Sequence, residues 1–287
     1  MTSERRPTGT SRGAKAPASR GAKAPPPQQT HGVAQPLPPS PARRRFRTQL
    51  LAWYRAHGRS LPWRETDDPY HILVSEVMLQ QTQVDRVLPK YHEWLAKYPT
   101  LSSLAEAPEG DVATTWRPLG YNIRPKRLQW IAREAVERFG GALPSDEQTL
   151  LSFKGLGRYT VGAIRSFAFR QRAAILDTNV ARVLFRVFVA DGDLKAHVTV
   201  RHLWALSETL VPRKHVFDFN QALMDFGATV CTARKPQCLL CPMQKTCASF
   251  PWTPEVRPAR TITKAPLGTL GATRGTRGSR RREGAKN

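Results

Sequence analysis

The chain has 287 residues, and its 45 Lys and Arg against 22 Asp and Glu leave a net charge of +23. That length allows one large domain or two small ones, and the charge points to a polyanionic partner such as nucleic acid. No apolar run is long enough to span a bilayer and no repeat of solenoid length is apparent, which excludes a bundle of membrane-spanning helices and a repeat array.

Residues 1–45 carry nine Lys and Arg against one acid, Glu4, among Pro, Gly, Ser, Thr and Ala. Residues 253–287 repeat this pattern with nine against two. Such segments cannot bury a core and are expected to be disordered basic tails, either holding phosphate without reading sequence or simply solvated. No secretory signal heads the chain, so the expected setting is a reducing, DNA-containing one: the cytoplasm, with nucleoid association in a bacterium.

Residues 46–252 read as helices throughout, an all-α class with about ten helices. Phe46, Leu50, Trp53, Tyr54 and His57 predict the first. A second is expected over about 70–85. It contains Glu76, flanked by apolar residues on almost every side. A buried glutamate is costly to ionise, so its pKa would rise and suit a general acid; the alternative is an exposed helix face. A third helix opens with Pro125 and sets Leu128, Ile131, Ala132, Ala135, Val136 and Phe139 on one face, ending at Gly140 and Gly141. In Lys154-Gly155-Leu156-Gly157-Arg158-Tyr159-Thr160, two glycines flank one apolar residue before a helix. That permits a hairpin whose backbone N–H groups hold a phosphate, or a plain helix connection. Asp177 is placed to N-cap a helix over 178–189, and its apolar neighbours also put its carboxylate in a mainly dry cleft. Two further helices cover about 199–211 and 215–230.

All four cysteines of the chain follow within seventeen residues: Cys231, Cys238, Cys241 and Cys247. Convergent thiolates suggest one metal centre, either iron–sulfur or structural zinc. Zinc more often takes two short knuckles, and here only the middle gap is short. Disulfides are the remaining alternative.

The 6-2-5 cysteine spacing resembles the [4Fe–4S] loop of the endonuclease III/MutY DNA glycosylases. From about Arg59 to Cys247 the chain resembles the helix-hairpin-helix/Gly-Pro-Asp superfamily, and within it MutY-type adenine glycosylases. The matching residues are Leu61-Pro62-Trp63-Arg64, Ser75 to Val84 (Ser-Glu-Val-Met-Leu-Gln-Gln-Thr-Gln-Val), Leu119-Gly120-Tyr121, the hairpin, Leu176-Asp177-Thr178-Asn179-Val180, Phe219 to Ala228 and the cysteine loop. The resemblance implies a two-lobed core over 46–252, a six-helix lobe plus an iron–sulfur lobe with its loop at 231–247. It implies a monomer that acts on double-stranded DNA with mismatched or damaged pairs and removes adenine opposite 8-oxoguanine or G. Glu76 would protonate adenine N7, and Asp177 would stabilise the developing oxocarbenium-like sugar. Tyr159 stands where bifunctional relatives carry a Schiff-base lysine, which implies monofunctional hydrolysis. Gln81 and Tyr121 would wedge the duplex, Leu119 would belong to the same DNA-binding set, Arg64 would help hold the extruded adenine, and Gly155 and Gly157 would grip the backbone. Cys231, Cys238, Cys241 and Cys247 would hold a [4Fe–4S] cluster.

Two features depart from that pattern. Only a basic, low-complexity stretch of about forty residues follows Cys247 where family members usually carry a Nudix-like domain, and Asn122 stands where a second aromatic often follows Tyr121. The short form, Tyr159, the stretch Trp204–Pro212 and Asp218-Phe219-Asn220 also resemble archaeal thymine/uracil mismatch glycosylases. A non-catalytic iron–sulfur DNA-binding protein would need the cysteine loop and hairpin, but not Glu76, Tyr159 and Asp177 together.

Overall fold

The computed structural model describes residues 36–253. Most of the two basic tails expected at 1–45 and 253–287 lies outside the described residues. Within them the chain is helical, with no strand, as its patterning predicts. Helix α1 spans Ser40–His57, beginning six residues inside the segment expected to be disordered. Pro41 sits in its first turn, where a missing N–H costs no hydrogen bond, and Phe46 and Leu50 are fully buried and anchor it.

Helix α2 spans Pro69–Leu79. Asp68 caps it by accepting from the N–H groups of Tyr70 at 2.7 Å and His71 at 3.4 Å. The helix is buried on nearly every side from Tyr70 to Met78, so its one acid, Glu76, is drawn into the interior at 3% exposure. It stops at Leu79, short of the expected residue 85. Residues 80–83 form a turn in which Gln81 takes φ +56°. Then follow α3 (Val84–Lys97), α4 (Leu101–Glu106) and α5 (Glu109–Trp116).

Helix α6 spans Ile123–Phe139, opening two residues before Pro125. Its buried stripe is narrower than the pattern predicts: Leu128, Ile131, Ala132 and Ala135 are buried, while Val136 is 37% exposed. Gly140 ends it in the left-handed region at φ +63°. After α7 (Glu147–Ser152), the hairpin residues lead into α8 (Arg158–Phe167), with Gly155 at φ +106° and Leu156 buried beneath the turn.

Helix α9 (Thr178–Leu184) continues not as an α-helix but as a π-helical turn over Phe185–Val189, closed by the Ala190 N–H on the Phe185 carbonyl at 2.8 Å. Helices α10 (His197–Leu210) and α11 (Val216–Thr229) complete the core.

Helices α2 to α6 pack against one another, α4 and α5 lying on α6, while α7 lies on α8. Helices α1, α9 and α10 gather around α11 and each other, and α8 touches both α2 and α11. Two close approaches fix this junction. A Cβ on Gly162 of α8 would meet the Ala174 carbonyl oxygen at 2.2 Å, and one on Gly227 of α11 would meet the Asn179 Cβ at 2.8 Å. Both contacts flank Asp177, so the absence of a side chain here lets the Asp177 segment lie against two helices. Among the described residues no helix is long and apolar enough to cross a membrane.

Candidate active site

Three of the predicted residues come from three helices that meet at this junction. Tyr159, in the first turn of α8, donates its hydroxyl to Glu76 Oε2 at 2.7 Å, with Met224 Sδ at 3.9 Å from the same hydroxyl. Burial pushes the Glu76 carboxyl up to about 7. The Tyr159 hydrogen bond opposes the rise, the negative charge of Asp177 adds to it, and the Arg64 guanidinium opposes it again. Burial and the two nearby carboxylates also hold the Tyr159 phenol well above its ordinary range. The exposed helix face considered for Glu76 is thus ruled out.

Asp177 N-caps α9. Its Oδ1 accepts from the Val180 N–H at 2.6 Å and its Oδ2 from the Asn179 side-chain amide at 3.0 Å. Burial raises its pKa, against those hydrogen bonds and the Arg182 charge. The site therefore holds two carboxyls of unlike environment. Glu76 is dry and bonded by one phenol; Asp177 is bonded by a helix start, which favours its anion.

A second constellation joins two of the sequence motifs, through a pairing not read from the sequence. Asp225 of α11, fully buried, accepts from Arg59 Nε at 2.8 Å and Nη2 at 2.6 Å, and from Arg64 Nη1 and Nη2, each at 2.8 Å. Burial acts to raise its pKa, but the hydrogen bonds and charge of Arg64, then those of Arg59, hold it below the ordinary carboxylate range. Both terminal nitrogens of Arg64 are occupied by Asp225, with Nη1 also on the Arg59 carbonyl, so only its buried Nε lacks a protein partner. The chain does carry a signal for it: Asp225 is an acid set among apolar residues, Leu223, Met224, Phe226 and Ala228.

The residues expected to meet DNA fall into two groups. Gln81 and Tyr121 are exposed, Tyr121 to 60%, and both adopt left-handed backbone at φ +56° and +50°. Leu119 is buried in the core, so it presents its carbonyl rather than its side chain to its surroundings. Gly155 and Gly157 lie at the entry to α8 beside Arg127, Lys154 and Arg158. Lys154 sits over the Trp130 ring, and Arg158 sits over Trp204 while paired with Glu208.

The four cysteines are all free thiols and line one apolar cavity with Met243, Phe250 and Trp252. Burial pushes the Cys241 thiol up to about 11, so metal must displace protons to bind here. Among the described residues no three His, Cys, Asp or Glu are spaced to hold a single ion. Four thiols around one cavity are a donor set that can hold a metal centre. Arg186 clamps both ends of the loop. Its Nη1 reaches Cys231 Sγ at 3.6 Å and the Thr232 carbonyl at 2.7 Å, its Nη2 the Ala233 carbonyl at 3.0 Å, and its own carbonyl accepts from Cys247 Sγ at 3.3 Å and the Ser249 N–H at 3.0 Å. Arg182, one turn earlier, donates to the Cys231 carbonyl at 2.8 Å and to Asn179 Oδ1 at 2.8 Å. A continuous path of hydrogen bonds therefore runs from Asp177 through Asn179 and Arg182 to Cys231.

Comparison with known proteins follows the same division. Residues 74–209 match the family described as "HhH-GPD superfamily base excision DNA repair protein", and residues 231–247 match the iron–sulfur binding domain of endonuclease III. The loop is thus an iron–sulfur binding element. An adenine DNA glycosylase of Mus musculus is 44% identical over 214 residues, covering 71% of this chain and 42% of that protein. A thymine/uracil-DNA glycosylase of Methanothermobacter thermautotrophicus is 35% identical over 211 residues, covering 72% of this chain and 94% of that protein. The solved structure of a thermostable thymine-DNA glycosylase superposes with a TM-score of 0.69 at 34% identity, covering 74% of this chain and 97% of that one. The chain spans about two fifths of the length of the mammalian adenine DNA glycosylases it matches.

Proposed function

The chain belongs to the HhH-GPD superfamily of base excision DNA repair proteins, and on that premise we propose that it removes mispaired adenine from duplex DNA by hydrolysing the N-glycosidic bond. The observation that carries this reading is the buried Glu76–Tyr159 hydrogen bond, in a site whose other carboxylate is a helix cap. Glu76, protonated near neutral pH, gives its proton to N7 of an extruded adenine, which makes the base a better leaving group. Asp177 stays ionised through its caps and faces the sugar as positive charge develops there, while water completes the hydrolysis. Asp225 fixes Arg59 and Arg64, and Arg64 is near enough for its charge to lower the Glu76 pKa. Gln81 and Tyr121 enter the stack where the base has left it, and a single copy of the chain meets the duplex.

The test is single-turnover excision on duplexes carrying A opposite 8-oxoguanine, A opposite G, and T or U opposite G. Release of adenine alone supports the proposal. Release of thymine or uracil but not adenine would favour the second reading, for which the match along almost the whole thymine/uracil-DNA glycosylase speaks.

Two further expectations arise here. The chemistry is monofunctional: Tyr159 cannot form an imine with the sugar, so borohydride should trap almost no protein–DNA adduct, and efficient trapping would contradict the assignment of Tyr159. The metal centre is a [4Fe–4S] cluster on Cys231, Cys238, Cys241 and Cys247; when bound it cross-links the loop rather than reacting with DNA. Analysis should find about four irons and four sulfides per chain. Cys238→Ser should lower the folded yield or DNA affinity more than the rate per correctly folded molecule. One zinc with no sulfide would reject the cluster.

A further inference from the structure

Arg124 is the second residue of α6 and is 3% exposed, so it does not reach a phosphate. Its guanidinium spans two segments about forty residues apart. Nη1 donates to the carbonyls of Val77 at 3.1 Å, Met78 at 2.9 Å and Gln80 at 2.5 Å, which are left without partners as α2 ends. Nη2 donates to Thr82 Oγ1 and to the carbonyls of Leu119 and Gly120, each at 3.1 Å. The group also lies 5.1 Å from the Trp116 ring and 5.4 Å from the Tyr121 ring. No carboxylate is among its hydrogen-bond partners; carbonyl dipoles surround the charge instead. Each segment places one exposed non-glycine residue at positive φ beside this fork: Gln81 in the first, Tyr121 in the second. Left-handed backbone is unfavourable for such residues and persists only where the surroundings impose it.

We propose that Arg124 is a positioning residue that locks the 80–83 turn to the 119–121 turn, so that Gln81 and Tyr121 enter the duplex as one rigid pair. This deepens the reading that the protein opens DNA to reach a base, and rests on it. The planar fork is what the role needs. Nη1 serves the end of α2 while Nη2 bridges Thr82 and the 119–120 carbonyls, whereas a lysine ammonium concentrates its donors at one point and serves one segment. The opening of the duplex and the reading of the partner base then depend on both turns together.

The experiment uses the full chain. Duplex carrying 2-aminopurine beside the target adenine reports opening by its fluorescence, in a Glu76→Gln background where no chemistry occurs. With Glu76 intact, single-turnover excision is measured for Gln81→Ser, Tyr121→Ala and the double variant, each with Arg124 or with Arg124→Lys. Arg124→Lys should bind undamaged duplex normally, lose the fluorescence rise, and slow excision by about 10²-fold, as expected when a positioned group is misplaced by about 1 Å. With Arg124 present, losing both wedges should cost little more than losing the worse one, a coupling of about fivefold or more that vanishes in the Arg124→Lys background, where the fork is gone. Should Arg124→Lys not fold, Thr82→Val removes one acceptor from one segment and should reduce the fluorescence rise with little change in melting temperature. An unchanged fluorescence rise, or wedge losses that already multiply with Arg124 present, overturns the proposal. If no base is released from any duplex, the proposed reaction fails, and the fluorescence arm still decides the role of Arg124.

Discussion

Glu76→Gln is expected to bind an A-containing mismatch as the parent does and to excise about 10²–10⁴-fold more slowly, the usual cost of losing one proton donor. Glutamine keeps the shape of the side chain and can still accept the Tyr159 hydroxyl, so the loss isolates the proton. The same substitution has a second expected result, in stability. The folded pKa of Glu76 lies near 7 against an ordinary 4.5, so the folded state holds this proton more tightly than the unfolded chain does. Stability therefore falls as pH rises from about 4.5 to about 7, by on the order of 3 kcal/mol, and stays low above that range. The variant escapes this penalty. Its melting temperature should exceed the parent's at pH 8, and the gap should close near pH 4. Excision by the parent should decline as pH rises through about 7, because the active form is the protonated one. Near-normal excision by the variant would remove Glu76 as the acid, and a parent more stable than the variant at pH 8 would contradict its buried, dry environment.

Asp177→Asn should slow excision by about 10²–10³-fold, since the developing positive sugar loses its counter-charge. Folding should change little. An asparagine oxygen can replace Oδ1 as the cap for the Val180 N–H, leaving only the Asn179 amide without its acceptor, at about 1 kcal/mol. The substitution carries a signature that a merely damaged protein would lack. The Asp177 charge helps raise the Glu76 pKa, so its removal should move the alkaline limb of the pH–rate profile to lower pH. A slowed variant whose limb stays in place would show that the two carboxyls do not feel one another.

What the sequence made legible were features whose cause is local. The apolar surroundings of Glu76, the cap at Asp177, the glycines that end α6 and the clustered cysteines all act within a few residues of themselves. What it hid depends on partners far along the chain. Helical periodicity carries α2 past Leu79, yet the helix ends there, and the carbonyls its end leaves free are taken by Arg124 from more than forty residues away. Leu119 reads as a DNA-binding residue, but its side chain fills the core and Tyr121 protrudes. Arg64 reads as free to bind a base, but Asp225, 161 positions later, occupies both its terminal nitrogens. Glu76 itself could not be assigned to core or surface until the burial of its whole helix was known.

The π-helical turn at Phe185–Val189 gives α9 one residue more than an α-helical path needs, and this bears on which length changes a chain like this one can tolerate. Insertions and deletions are usually absorbed in loops. Here the surplus residue is spent inside a helix, and it leaves the carbonyls of Arg186 and Val187 free to take the N–H groups of Ser249 and Ala248. Removing Phe185, the residue of the turn that precedes Arg186, would let α pitch resume and swing the following positions by about 100°. Arg186 would then leave Cys231, Thr232 and Ala233 together, and the loop would keep its four thiols without the clamp that gathers them. Such a deletion should leave helical content near the parent's while iron per chain collapses; iron retained at the parent's level would show that the cysteines converge unaided.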